Sequence, residues 1–104
     1  MKQTKREATV SKPSVPIARI RFFSCGDVVA IDKDWREIPG LVYRGPVRKA
    51  APEVARILAA ARAQADPPIL QAQEWGAFRP LTENTLAVFE GRDPVGDRMR
   101  EVTL

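Results

Sequence analysis

Four carboxylates stand close together in the sequence, at Asp27, Asp32, Asp34 and Glu37. Paired carboxylates can serve as general acid and base, and several carboxylate oxygens at set spacing can hold a hard cation. The calcium-loop pattern is not met, because neither its glycine nor its terminal glutamate falls in place. We therefore interpret these residues as solvated charges at a strand end, and keep carboxylate catalysis as the alternative.

Nucleophilic chemistry has little support in the sequence. The chain has no histidine, so the Ser-His-Asp and Cys-His systems and the commonest metal ligand are missing. The one cysteine, Cys25, stands in a turn-forming stretch with no base nearby in the sequence, and we interpret it as an incidental thiol. Neither glycine-rich phosphate-binding pattern occurs. These observations favour a protein that is not an enzyme and needs no metal or cofactor.

A basic group, Arg44, Arg48 and Lys49, stands just before the clearest predicted helix. Cations are unfavourable beside a helix N-terminus, because the helix dipole is positive there. A bound anion would reverse that effect, since free N–H groups and cationic side chains would converge on it. The segment therefore predicts a site for an anion or an acidic partner, with charges screened by water and salt as the simpler alternative.

Aromatic residues adjoin arginines, as in Arg21-Phe22-Phe23. Bases stacked on aromatic rings with basic neighbours are typical of single-strand binding, although the RRM and KH signatures are missing. Trp35 and Trp75 are typical of packing positions in the core or at its rim. If they are exposed, they and Tyr43 would be natural anchors for a partner protein.

The formal net charge is +4, with the excess in the N-terminal arm and around the main helix. Residues 1–16 are polar and basic and show no periodicity, so we predict a flexible arm followed by one domain over residues 17–104. Such an arm either aids solubility or follows an acidic surface. The lone cysteine and the lack of a long apolar run favour a cytoplasmic protein that does not enter a membrane.

The element that most clearly positions these residues is an amphipathic helix over residues 51–66. Pro52 suits its first turn, Glu53 complements the helix dipole, and Pro67-Pro68 prevents a smooth continuation. Its apolar positions fall at the spacing of one helical face: Val54, Ile57, Leu58, Ala61 and Ala65.

Alternation predicts a β-hairpin over residues 17–33, closed by a turn at Ser24-Cys25-Gly26-Asp27. With that turn, Ile20 opposes Ile31 and Arg19 opposes Asp32, which gives apolar pairs on one face and an opposite-charge pair on the other. A one-residue slip would break both patterns, so we expect this register to be well specified.

The remaining segments give mixed patterns. Residues 41–44 predict a short strand, at a sheet edge, after a Pro39-Gly40 turn. Residues 69–75 carry both a helical and a strand period, and the preceding Asp-Pro and the following glycine favour a second short helix. Residues 85–90 and 99–104 predict strands.

Together these elements predict an α+β fold, in which a mainly antiparallel sheet of N-terminal hairpin and C-terminal strands packs on one main helix. The sheet residues expected to contact the helix are Ala18, Ile20, Phe22, Val29 and Ile31. The first functional hypothesis is a small non-catalytic protein that binds another protein, as a regulator, inhibitor or accessory subunit. The alternative is a nucleic-acid-binding protein. The candidate binding residues are Arg19, Arg21, Arg44, Arg48 and Lys49.

Overall fold

A five-stranded sheet and two helices make up the protein in a computed structural model that describes residues 15–93 and 100–104. The strands are β1 Arg19–Phe22, β2 Val28–Ile31, β3 Glu37–Tyr43, β4 Ile69–Glu74 and β5 Ala77–Pro80. The helices are α1 Ala51–Arg62, the main one, and α2 Glu83–Phe89, and a 3₁₀ turn at Val47–Lys49 precedes α1. The α+β class is confirmed.

The sheet is mixed rather than purely antiparallel. Its strand order is β3-β2-β1-β4-β5, with β1 and β4 parallel and the other neighbours antiparallel. The chain leaves the sheet at the β3 edge, forms α1, and re-enters beside β1 in the same direction as β1. Parallel neighbours need a long connection of this kind, and the helix supplies it.

The hydrophobic core lies between one face of the sheet and the two helices. Ile20 and Phe22 of β1 are buried there, and the Phe22 ring meets Phe89 of α2 edge to face at 5.1 Å. The predicted helix face is confirmed at four positions, which belong to the same buried cluster: Val54, Ile57, Leu58 and Ala61.

Helix α1 ends one turn earlier than predicted, at Arg62, so Ala65 is exposed and not part of the packed face. The side-chain amide of Gln64 accepts a hydrogen bond from Ile17 N at 2.9 Å and donates one to Ile17 O at 2.8 Å. These bonds fasten the end of the helix to the chain entering β1. Continuation would also conflict with the prolines that follow, which push preceding residues out of the helical region.

The predicted hairpin is present, but its register is shifted by one residue. The observed pairs are Arg19↔Ile31, Ile20↔Ala30, Arg21↔Val29 and Phe22↔Val28. Phe23 joins the loop, where its N–H bonds Asp27 O at 2.8 Å. The expected opposition of Arg19 and Asp32 is therefore wrong, and Val29 and Ile31 lie on the face away from the helices. All four residues of β2 are apolar and buried, so either alignment places apolar residues on both faces of the strand. The hydrophobic pattern therefore does not distinguish the two registers.

Strand β3 is longer than predicted and includes the Pro39-Gly40 pair that we had expected to form a turn. The pairing of β2 with β3 shifts register between Val29 and Ile31, and Gly40 has φ +87° at this irregularity. Such a bulge in an edge strand accommodates a proline, which cannot donate to a ladder. A side chain of α1, Arg56, donates a hydrogen bond to Gly40 O.

The C-terminal predictions of secondary structure are largely reversed. Residues 69–75, expected as a helix, form β4 and the first residue of the turn after it, because pairing with β1 buries Leu70 and Ala72 in the core. Residues 85–90, expected as a strand, lie in α2 and at its C-cap, Glu90. The Thr82 hydroxyl caps this helix by accepting from Thr85 N at 3.3 Å, and Gly91 ends it at φ +73°.

The predicted strand at 99–104 is reduced to a single bridge, Thr82↔Glu101, within residues 100–104. Residues 94–99 lie outside the described residues, as do residues 1–14 of the predicted arm. Over the ranges that the structure describes, no helix is long and apolar enough to cross a membrane.

Candidate functional site

One face of the sheet, which we call the open face, lies opposite the helices in the described part of the chain. Strand alternation and the observed register assign its residues. Its centre is formed by Arg19 and Arg21 of β1. Around them, on the four other strands, lie Val29, Ile31, Glu37, Val42, Ile69, Gln71, Gln73 and Phe78.

Two aliphatic residues are buried on the open face without a helix over them. Val29 is 1% exposed and Ile31 is 7% exposed, yet neither belongs to the core cluster. Each lies directly across from an arginine, Val29 from Arg21 and Ile31 from Arg19. Long arginine stems cover apolar neighbours in this way while their charged ends stay near water.

The two arginines are stacked against aromatic rings. The guanidinium carbon of Arg19 lies 3.9 Å from the Trp35 ring centroid, and that of Arg21 lies 5.0 Å from the same ring. Arg21 also lies 3.9 Å from the Phe78 ring centroid. The positive guanidinium is attracted to the negative face of each ring, so the stack holds both arginines in place. Phe78 in turn contacts Phe23 edge to face at 5.2 Å.

The charges of Arg19 and Arg21 are not neutralised by any carboxylate at ion-pair distance within residues 15–93 and 100–104. Arg21 Nε donates to Gln71 Oε1 at 3.0 Å, and the buried Arg19 Nε has no acceptor. Burial lowers the pKa of Arg21 from its ordinary value, and the like charge of Arg19 lowers it further. An anion at this position would offset both effects.

Trp35 reaches the arginines from the loop between β2 and β3, and it does so with a left-handed backbone, at φ 63°. The residue is 58% exposed. The turn is held by the Asp32 carboxylate, whose Oδ1 accepts from Asp34 N at 2.8 Å and from Arg36 N at 3.0 Å. A bulky residue at positive φ is a strained outlier, so the stack on the arginines is maintained against a backbone cost of about 1–3 kcal/mol.

Trp75, the other tryptophan, has the same left-handed backbone, at φ 54°, and forms the two-residue turn between β4 and β5 with Gly76. Its side chain is 94% exposed. Both turn residues have positive φ, a combination for which Asn-Gly or Asp-Gly is the favoured pair. The chain thus carries two tryptophans in strained, exposed turns, at opposite ends of the sheet.

The three basic residues before α1 have different surroundings in the structure. Arg44 donates to Asp27 Oδ2 at 3.2 Å and to Glu37, so its charge is already paired. The hydrogen bond and charge of Glu37, followed by those of Asp27, raise the pKa of Arg44. Arg48 and Lys49 are exposed on the 3₁₀ turn. The five predicted cations therefore do not form one cluster, and Arg19 and Arg21 are the pair on the open face.

Tyr43 packs partly against the core, and its hydroxyl donates to Pro46 O at 2.8 Å. Its predicted role as an interface aromatic beside the two tryptophans stays a prediction. Cys25 is an exposed free thiol in the β1–β2 loop.

The acidic residues are used within the fold. Asp27 accepts from Gly45 N at 3.2 Å as well as from Arg44, Glu37 pairs with Arg44, and Asp32 holds its own turn. Among the described residues, no group of three or more His, Cys, Asp or Glu side chains has a metal-binding arrangement. Three of these carboxylates, Asp27, Asp32 and Glu37, thus act as hydrogen-bond acceptors within the fold.

Three contributors to the open face were missed in the sequence: Gln71, Gln73 and Phe78. The two glutamines were missed because residues 69–75 were expected to be helical. Gln73 Oε1 accepts from Ser24 N at 3.2 Å and from Ser24 Oγ at 3.1 Å, which ties β4 to the β1–β2 loop. The alternation of Ile69, Gln71 and Gln73 was the signal that could have revealed them.

Comparison with protein families, characterised proteins and solved structures found no match for this chain.

Proposed function

We propose that this protein is a non-catalytic binding module that holds another protein on its open face. The observation that carries the proposal is the pair Arg19 and Arg21, which have no carboxylate at ion-pair distance in the described part of the chain and stack on Trp35 and Phe78. Two like charges placed side by side oppose folding unless another interaction compensates them. A partner that brings negative charge to this face would do so.

The side chains of the open face also suit protein recognition. Tryptophan and arginine dominate the residues that contribute most to binding at protein interfaces. Trp35 presents a half-exposed ring beside the arginines, and Ile69, across from Arg19 on β4, is 53% exposed. The rings and Ile69 offer apolar area, while the guanidinium edges offer directed hydrogen bonds.

The carboxylates support binding over acid–base catalysis. Asp27 and Glu37 are paired with Arg44, and Asp32 accepts two backbone N–H groups of its own turn. A general acid or base needs a tuned pKa and a free position beside a substrate. Carboxylates that already accept hydrogen bonds within loops fit a structural role better than a catalytic one.

The test is capture of partners from the native cell by three forms of the protein: wild type, Arg19→Gln/Arg21→Gln, and Arg48→Gln/Lys49→Gln. Both variants remove two positive charges, but only the first alters the open face. The expected result is one stoichiometric protein bound by wild type and by the Arg48/Lys49 variant and lost from the Arg19/Arg21 variant. Equal binding by all three forms would contradict the proposal.

A second candidate, single-stranded nucleic acid, is favoured by the arginines and aromatic rings on a sheet face that no described helix covers. Phosphate contacts make affinity fall steeply as salt rises, because bound cations are released. Nuclease treatment of the lysate before capture, with a salt titration of an oligonucleotide, separates the two candidates. Loss of all captured material after nuclease treatment would favour nucleic acid.

A further inference from the structure

Arg19 and Arg21 stand two residues apart on one strand and on one face of the sheet. The rise of about 3.3 Å per residue in a strand places their Cα atoms about 6.6 Å apart. Any other extended chain has the same spacing between residues i and i+2 on one side. Two acidic residues separated by one residue can therefore meet both guanidinium groups at once.

The aromatic rings next to the arginines are already occupied by them. Arg19 and Arg21 both lie over Trp35, and Arg21 also lies over Phe78. A base that stacked on either ring would have to displace a guanidinium group from that side. The in-plane N–H groups of arginine, by contrast, match a carboxylate in bidentate geometry without disturbing the stack.

The charges around the pair also favour a short acidic segment over a phosphate chain. Arg44, at the far edge of the sheet, is paired with Asp27 and Glu37. Asp32 and Asp34 stand in the turn that carries Trp35 together with Lys33 and Arg36, so the formal charge of this turn is zero. A nucleic-acid strand needs a continuous series of cations along its backbone, whereas the described part of this face offers, at its centre, two cations without a carboxylate at ion-pair distance.

We propose that the partner presents an extended segment with an acidic–x–acidic pattern, whose two carboxylates bind Arg19 and Arg21. Apolar residues flanking this pattern contact Trp35 and Ile69, the exposed apolar side chains of the open face. The inference rests on the proposed function, since it names the chemistry of the protein bound at the same face. It predicts that specificity resides in the spacing of two negative charges.

The test uses a blocked peptide, Leu-Ser-Glu-Ser-Glu-Ser-Leu, titrated to millimolar concentration into ¹⁵N-labelled full-length protein. The control peptide carries glutamine at both glutamate positions. The side-chain resonances of Arg21 Nε–H and Trp35 Nε1–H are expected to shift with the glutamate peptide and not with the glutamine peptide. The shift at Trp35 is expected to vanish in Arg19→Gln/Arg21→Gln and to persist in Arg48→Gln/Lys49→Gln.

Three results would overturn the inference: no shift with the glutamate peptide, equal shifts with both peptides, or equal responses of the two variants. Binding of a ten-nucleotide oligouridylate to the open face in place of the peptide would also overturn it. If the cellular partner still depends on Arg19 and Arg21 while the peptide fails, the binding module stands and only this partner chemistry is wrong. If neither the cellular partner nor the peptide depends on Arg19 and Arg21, both proposals are wrong.

Discussion

Aliphatic side chains are buried on both faces of the sheet, but by different means. On the helix side, Ile20 and Phe22 lie under α1 and α2 within one apolar cluster. On the open face, Val29 and Ile31 are nearly as buried, and each lies directly across from an arginine that stacks on Trp35. One face is closed by secondary structure, and the other by individual side chains.

This difference determines which face can respond to a partner. Helices packed on a sheet form a dense layer whose removal costs much of the folding free energy. Arginine stems and one indole ring can change rotamer without unfolding any element. The open face can therefore adjust to a ligand while the helix side keeps the fold.

The largest expected effect comes from truncating one isoleucine on each face. Ile20→Ala should reduce the free energy of unfolding by about 4 kcal/mol, because the packed cluster cannot collapse into the cavity. Ile31→Ala should cost about 2 kcal/mol, because the overlying side chains can settle into the space. Urea denaturation measures both, and equal costs would show that the open face is packed as rigidly as the core.

The second prediction compares the stability cost of alanine at two glycines, in two loops at the same end of the sheet. A Cβ at Gly26 would overlap the carbonyl oxygen of Gly45 and lie 2.7 Å from Val47 N, at φ +114°. Gly26→Ala should therefore cost about 3 kcal/mol, from backbone strain and overlap. Gly76→Ala has a φ closer to the left-handed region, at +82°, in open space and should cost about 1 kcal/mol. Thermal unfolding of both variants measures the difference, to which the close approach and the larger φ of Gly26 both contribute.

Removing the charges of the open face should change stability much less than removing its aliphatic residues. In Arg19→Gln/Arg21→Gln, the lost attraction to Trp35 and Phe78 is offset by relief of the repulsion between the guanidinium groups. The free energy of unfolding should stay within about 1 kcal/mol of wild type. Circular dichroism during urea titration checks this. A larger loss of unfolding free energy would mean that the main role of the arginines is to stabilise the fold.

The smallest expected effect is a gain. Trp75→Asn should stabilise the protein by about 0.5 kcal/mol, since asparagine before glycine suits a turn with two positive φ values. Trp35→Asn relieves the same backbone strain but loses the stack on Arg19 and Arg21, so it should show no gain. Melting temperatures of the two variants give the comparison. A gain at Trp35 as large as that at Trp75 would indicate that the stack contributes nothing to folding.

Local periodicity was sufficient for α1, because its apolar residues repeat at helical spacing within alanine-rich surroundings. It was insufficient for the register of the hairpin, since β2 is apolar on both faces and allows either alignment. Residues 69–75 have helix-favouring composition, and pairing with β1 overrides it. Helix α2 could have been recognised from Thr82 and Gly91, which cap its two ends.

The candidate site was accessible from sequence only in part. Alternation assigns Arg19 and Arg21 to the face opposite Ile20 and Phe22, and the structure places them there. Their aromatic neighbours come from a turn and from β5, which lies more than fifty residues further along the chain. Contacts of that separation depend on strand order, which no local pattern in this sequence encodes. The pairing of Arg44 with Asp27 likewise requires β3 to lie beside β2.

The edges of the sheet are protected against growth. The outer strands β3 and β5 each contain a proline, Pro39 and Pro80, and the side chain of Arg56 occupies the carbonyl of Gly40 at the β3 edge. Strands with missing donors and a covered acceptor are poor templates for a further strand, which limits edge-to-edge polymerisation. A partner chain therefore gains little by extending the sheet sideways, and the route left to it is over the open face.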